Sequence, residues 1–205
     1  QGDIPVWSDD GGKTFNFSAG VYKRGMDECS IAQAANGSLF LIARNCHSSN
    51  LRQCRMRRQL ARNEQELDDS GPIGSHTFAV SMSHDGGEHW GPITQQPQLI
   101  TPICQASIIS YKGPQDAAPA LYFSHPYSTT SRSNGTILAS DDNGATFSRA
   151  LNLGIPTDFG YTGLACGLVG ADDGTDCAVL YDAHLGALRL KRFASWNVSR
   201  THEVR

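Results

Sequence analysis

The sequence predicts an all-β fold made of many short strands joined by tight turns. Three observations lead there. An eight-residue segment occurs three times, the strand-prone runs are short and bounded by Gly, Asp, Asn or Pro, and 21 of the 205 residues are glycine. Glycine at that level suits turns between strands better than a helical bundle. With 39% hydrophobic residues the chain is long enough and apolar enough to bury a core.

The repeat carries the most information. Its copies are Ser8 to Phe15, Ser83 to Trp90 and Ser140 to Phe147, each reading S-x-D-x-G-x-[TH]-[FW]. The Asp side chain can accept hydrogen bonds from N–H groups of its own turn, and Gly supplies the positive φ the turn needs. The aromatic that follows is placed to pack back under the hairpin. The copies start 75 and 57 residues apart. Both spacings exceed the roughly 40–50 residues of one repeat unit of this kind, so insertions are expected.

Strand-like runs cover residues 38–44, 76–83, 106–111, 120–124, 135–140, 177–182 and 188–193. Asn36-Gly37-Ser38 reads as a hairpin turn. The only helix-like stretch is 52–69, inside an insertion over about 45–75. There Arg52, Arg55, Arg57, Arg58 and Arg62 precede Glu64, Glu66, Asp68 and Asp69. Balanced charge of that kind suits a solvated loop or short helix; a lid over a site is the sharper alternative. The organisation expected is one unit over 1–195 followed by a tail over 196–205.

Composition excludes several classes. A net charge of −3 offers no concentrated basic surface for nucleic acid. No stretch reaches the roughly 20 apolar residues of a membrane-spanning helix. The six cysteines, Cys29, Cys46, Cys54, Cys104, Cys166 and Cys177, lack the C-x-x-C spacing of a zinc site, so no metal is expected. Sequons occur at Asn16, Asn36, Asn134 and Asn197. Together with the even cysteine count they point to a secretory, lysosomal or extracellular location. The chain opens on Gln1-Gly2-Asp3 without an initiator Met or a signal-peptide pattern, which suggests residues upstream.

The repeat resembles the Asp-box of sialidase-type β-propellers. Four further segments narrow the resemblance to the sialidase (neuraminidase) family. Asp27-Glu28-Cys29-Ser30, then Asn36 to Leu39 and Ala43-Arg44-Asn45, resembles the segment that holds the family's catalytic glutamate and one arginine. Pro102 to Ser107 resembles the segment leading into the next blade. Phe123-Ser124-His125-Pro126 with Arg132 to Thr136 resembles the F-S-N-P…R-x-N-x-T stretch, with His125 where the family commonly has Asn. Phe159 to Leu164 resembles the segment bearing the catalytic tyrosine.

The resemblance implies the last three to four blades of a six-bladed propeller. It also implies an exo-sialidase that removes terminal sialic acids from glycoproteins, glycolipids or oligosaccharides with retention, without a cofactor. Tyr161 would be the nucleophile, Glu28 its base, and Arg44 and Arg132 the clamps on the sugar carboxylate. The chemistry suits these residue types. Guanidinium forks bind a carboxylate through charge-assisted pairs. A carboxylate nucleophile would be repelled by the substrate's own anion, and sialidases use tyrosine instead. Free phenol, with a pKa near 10, needs a base beside it. His125 is expected either to touch substrate or to make a structural hydrogen bond. Cys29 could pair with Cys104, and Cys166 with Cys177. The family's acid/base aspartate and its third arginine have no counterpart in the sequence, so the missing N-terminal blades would have to supply them. The chain by itself is therefore expected to be inactive or nearly so. A non-catalytic sialic-acid-binding propeller and an Asp-box scaffold for protein partners are the alternative readings.

Overall fold

The computed structural model describes residues 5–19, 26–45, 76–169, 174–183 and 186–200. The segment 46–75, which contains the expected helix and most of the expected insertion, lies outside the described residues. Among the described residues, fourteen strands form four antiparallel sheets. A short hairpin of β1 (Val6–Trp7) and β2 (Asn16–Phe17) comes first. The first full sheet holds β3 (Met26–Gln33), β4 (Leu39–Asn45), β5 (Thr77–Ser83) and β6 (Thr94–Ile100) in chain order. The second holds β7 (Ser107–Tyr111), β8 (Ala120–Pro126), β9 (Gly135–Ser140) and β10 (Arg149–Asn152). The third holds β11 (Thr162–Cys166), β12 (Cys177–Asp182) and β13 (Leu188–Phe193). These are meanders whose first strands lie side by side: β3 packs beside β7, and β7 beside β11. The arrangement is that of successive propeller blades.

Two cores separate the three sheets. Phe40, Ile42, Phe78 and Val80 of the first sheet meet Ile108, Leu121, Phe123 and Leu138 of the second. On the opposite face of the second sheet, Tyr122 and Ile137 meet Phe159, Val179 and Tyr181. Strand β8 contributes Leu121 and Phe123 to one core and Ala120 and Tyr122 to the other, and every one of its residues is buried. A strand covered on both faces reads as a continuous apolar run for this reason.

All three repeats close as their sequence dictates. In the second, Asp85 Oδ1 accepts the His89 N–H at 3.0 Å and the Ser83 hydroxyl at 2.9 Å, while Ser83 Oγ accepts the Gly87 N–H at 2.9 Å. Asp10 and Asp142 make the matching bonds to Thr14 and Thr146 at 3.0 and 2.8 Å. Gly12, Gly87 and Gly144 take φ of 84°, 98° and 91°. Hydrogen bonds from Thr14, first its N–H and then its hydroxyl, hold the Asp10 carboxyl down to about 2. Trp90 and Phe147 pack underneath as expected, but Phe15 is 63% exposed, because no further strand joins its two-stranded hairpin among the described residues.

The Asn36-Gly37 hairpin also forms, with Ser38 donating its N–H and hydroxyl to Asn36 Oδ1 at 3.0 and 2.6 Å. Within the stretch expected as a tail, β14 (Ser199–Arg200) pairs with β10 and adds a fifth strand to the second sheet.

Candidate active site

Strands β3 and β4, the loop between β8 and β9 and the residue before β11 bring four side chains together from all three sheets. Glu28 lies in β3, where the register to β4 shifts between Asp27 and Ser30, so that Glu28 and Cys29 together face the single residue Ala43. This is a β-bulge, and Glu28 sits in it with φ 52°. A non-glycine residue in the left-handed region costs about 1 kcal/mol. Bulges re-aim side chains, and this one turns the carboxylate toward the third sheet.

Arg44 stands opposite Asp27 in the register and is only 7% exposed. Its Nη1 donates to Glu28 Oε2 at 2.7 Å and to the Tyr161 hydroxyl at 3.2 Å, and its Nε lies 3.8 Å from Asp27 Oδ1. Tyr161 immediately precedes β11, and its hydroxyl donates to Glu28 Oε1 at 2.9 Å. Arg132, from the loop between β8 and β9, places its guanidinium carbon 4.8 Å from the centre of the Tyr161 ring. That is a cation–π distance. The four expected site residues therefore form one cluster. Tyr161 is 37% exposed, so the phenol is open to an incoming molecule while Arg44 is buried behind it.

Two features support the cluster: Cys104, which the sequence placed near the site, and Gln105, which it did not single out. Cys104 lies fully buried near both arginines, and burial pushes its thiol up against the opposing effect of Arg132 and Arg44. Gln105 bonds through its side chain to both main-chain groups of Thr162. For Gln105 the sequence signal was the Pro102–Ser107 segment as a whole.

Two expectations require correction. His125 is buried with neither ring nitrogen hydrogen-bonded. Its ring stacks on Phe123 at 4.5 Å and meets Phe78 and Tyr127 edge-on. Because 123 and 125 share a strand face, the side chain enters the core between the sheets and makes neither of the contacts expected of it. Cys104 is a free thiol, so the Cys29–Cys104 pair is not formed. The Cys166–Cys177 disulfide is present and joins β11 to β12 at a directly paired position. No group of three or more His, Cys, Asp or Glu among the described residues could hold a metal ion. No helix among them is long and apolar enough to cross a membrane.

Comparison with known proteins gives this cluster a context. No protein-family profile matches the chain. A sialidase of Micromonospora viridifaciens is 32% identical over 148 residues, covering 70% of this chain and 19% of that protein. The chain belongs to the sialidase family. Among solved structures, a Hadza microbial sialidase superposes with a TM-score of 0.68 at 21% identity, over 94% of this chain and 32% of its own. The leech intramolecular trans-sialidase, complexed with 2,7-anhydro-Neu5Ac, gives 0.67 at 22% identity, over 95% and 27%. That of Ruminococcus gnavus, in complex with oseltamivir carboxylate, gives 0.66 at 23% identity, over 96% and 38%. These likenesses establish the fold: the three sheets are blades of a sialidase-type propeller. The segment spans about a fifth of the curated sialidase and at most two fifths of these structures.

Proposed function

We propose that this chain is the tyrosine-bearing part of an exo-sialidase that cleaves terminal sialic acids from glycoconjugates with retention of configuration. The observation that carries the reading is the hydrogen bond from the Tyr161 hydroxyl to Glu28 Oε1, with Arg44 bonded to both partners. A nucleophile joined to a base, and a base oriented by a third group, is the arrangement that activates a weak nucleophile.

In the reaction, Glu28 takes the phenolic proton as the Tyr161 oxygen attacks the anomeric carbon. The bond from that carbon to the glycosidic oxygen breaks, and the departing oxygen takes a proton from an acid supplied by upstream blades. The product is a tyrosyl–sialoside. Water then displaces the tyrosyl oxygen, giving its proton to the now deprotonated upstream group. Glu28 returns its proton to Tyr161. Two inversions leave the configuration unchanged. Arg44 and Arg132 supply positive charge for the sugar carboxylate, which sits on the attacked carbon itself.

Sialylated glycoproteins, glycolipids or oligosaccharides are the substrates under this reading, and the location is secretory, lysosomal or extracellular. The Cys166–Cys177 disulfide supports that location. Proton NMR during hydrolysis of a sialoside by the full-length protein tests the mechanism. The α-anomer of the free sugar is expected first, and first appearance of the β-anomer would rule out the double displacement.

A further inference from the structure

We propose that Gln105 is a positioning residue that sets the nucleophile Tyr161 against its base; the inference rests on the sialidase reading above. Strand β11 lies at one edge of its sheet, and among the described residues β12 is the strand that pairs with it. Its other edge faces the second sheet, and side chains meet its main chain there. Gln105 Oε1 accepts the Thr162 N–H at 2.8 Å, and Gln105 Nε2 donates to the Thr162 carbonyl at 3.1 Å. One carboxamide thus satisfies both main-chain groups of a residue, as a neighbouring strand would. Nε2 also donates to the Ala106 carbonyl at 2.8 Å, which fixes the amide's orientation.

Thr162 directly follows Tyr161. On the opposite side, Asp182 of β12 accepts the Gly160 N–H at 2.8 Å and donates its own N–H to the Tyr161 carbonyl at 2.9 Å. The nucleophile's backbone is therefore gripped twice, once from its own sheet and once by Gln105 from the next. The Gln105 grip ties the Thr162 main chain to the second sheet, where the Thr162 hydroxyl also bonds to Ser124 of β8 and the Phe159 N–H donates to the Arg132 carbonyl at 3.0 Å. A further side chain continues the link: Ser30, two residues past Glu28, accepts the Ile108 N–H at 3.2 Å. The phenol and its base stand on different sheets, so their separation depends on this inter-sheet register. Loss of the Gln105 grip shifts the phenol without removing any group that touches substrate.

The test uses the full-length protein with Gln105→Ala and Gln105→Glu, measuring kcat and KM on a fluorogenic sialoside and amide hydrogen exchange at Thr162. For Gln105→Ala, kcat per folded molecule falls about 10- to 100-fold while KM changes little, as expected of a misplaced nucleophile. Gln105→Glu keeps the acceptor but turns a carboxylate oxygen toward the Thr162 carbonyl. Protonation of that carboxylate restores the donor, so the variant's kcat relative to wild type rises as pH falls from about 7 to about 5. A role confined to folding would instead lower Tm with kcat unchanged and a pH-independent ratio, and that result overturns the proposal. If the wild-type protein fails to turn over sialosides, the sialidase reading fails, and exchange decides the anchor separately. Faster exchange at Thr162 in Gln105→Ala supports the anchor, and unchanged exchange refutes it.

Discussion

The Tyr161 hydroxyl and the Glu28 carboxylate, 133 residues apart in sequence, meet at 2.9 Å. The bulge at Glu28 makes this possible, since a regular strand would alternate the side chain to the other face. Replacing Glu28 with Gln keeps the size but removes the proposed base, and it turns an amide donor toward Arg44 or Tyr161. In the full-length protein kcat is expected to fall about 10²- to 10⁴-fold with little change in KM, measured on a fluorogenic sialoside.

The two arginines are expected to differ. Arg44 is buried beside Asp27 and Glu28, so Arg44→Ala removes the cation that bonds to Glu28 and stands 3.8 Å from Asp27. Breaking a buried pair in this way costs about 3 kcal/mol, visible as a lower denaturation midpoint as well as lost activity. Arg132 is half-exposed and stands over the Tyr161 ring. Arg132→Ala is expected to fold with a near-wild-type midpoint and to raise KM.

His125 gives the protein an acid sensitivity unrelated to catalysis. Burial pushes its imidazole down to about 3, well below the ordinary value near 6.5. Between those values the unfolded chain binds a proton that the folded one refuses. Stability is therefore whole above about pH 6.5 and falls as pH drops toward 3, by up to about 1.4 kcal/mol per pH unit. His125→Phe keeps the stack on Phe123 and has nothing to protonate. Its denaturation midpoint is expected to fall less than wild type between pH 6 and 4; parallel curves would contradict this.

The third repeat turn and the Asn36-Gly37 hairpin tolerate substitution differently. A Cβ at Gly144 would lie 2.4 Å from two ring carbons of Phe40, at φ 91°. A Cβ at Gly37, at φ 86°, meets nothing within 4 Å. Gly144→Ala is expected to cost clearly more stability than the roughly 1 kcal/mol for Gly37→Ala, by about 1–3 kcal/mol of overpacking. Chemical denaturation of the two variants side by side measures the difference.

How legible all this was in the sequence follows from which signals are local. Strands β8 and β9 are buried throughout and mostly apolar because sheets cover both faces, and the repeats spell out their own turns. Strand β3 escaped because its bulge breaks the two-residue alternation, and β6 because it is an edge strand reading Thr-Gln-Gln-Pro-Gln, with little buried. Motif order brought out Glu28, Arg44, Arg132 and Tyr161. Their mutual contacts, and the grip of Gln105 on Thr162, depend on how sheets pack, which no local pattern records. His125 was misread because motif position hid which face of β8 it occupies.

The central claim is that Tyr161 is the attacking group. The most direct measurement is hydrolysis of a fluorogenic sialoside by the full-length protein and its Tyr161→Phe variant, with sialic-acid binding followed in parallel. The account predicts that hydrolysis collapses in the variant while binding persists. Hydrolysis at the wild-type rate by Tyr161→Phe, or a wild-type protein that binds sialic acid without cleaving the sialoside, would contradict it.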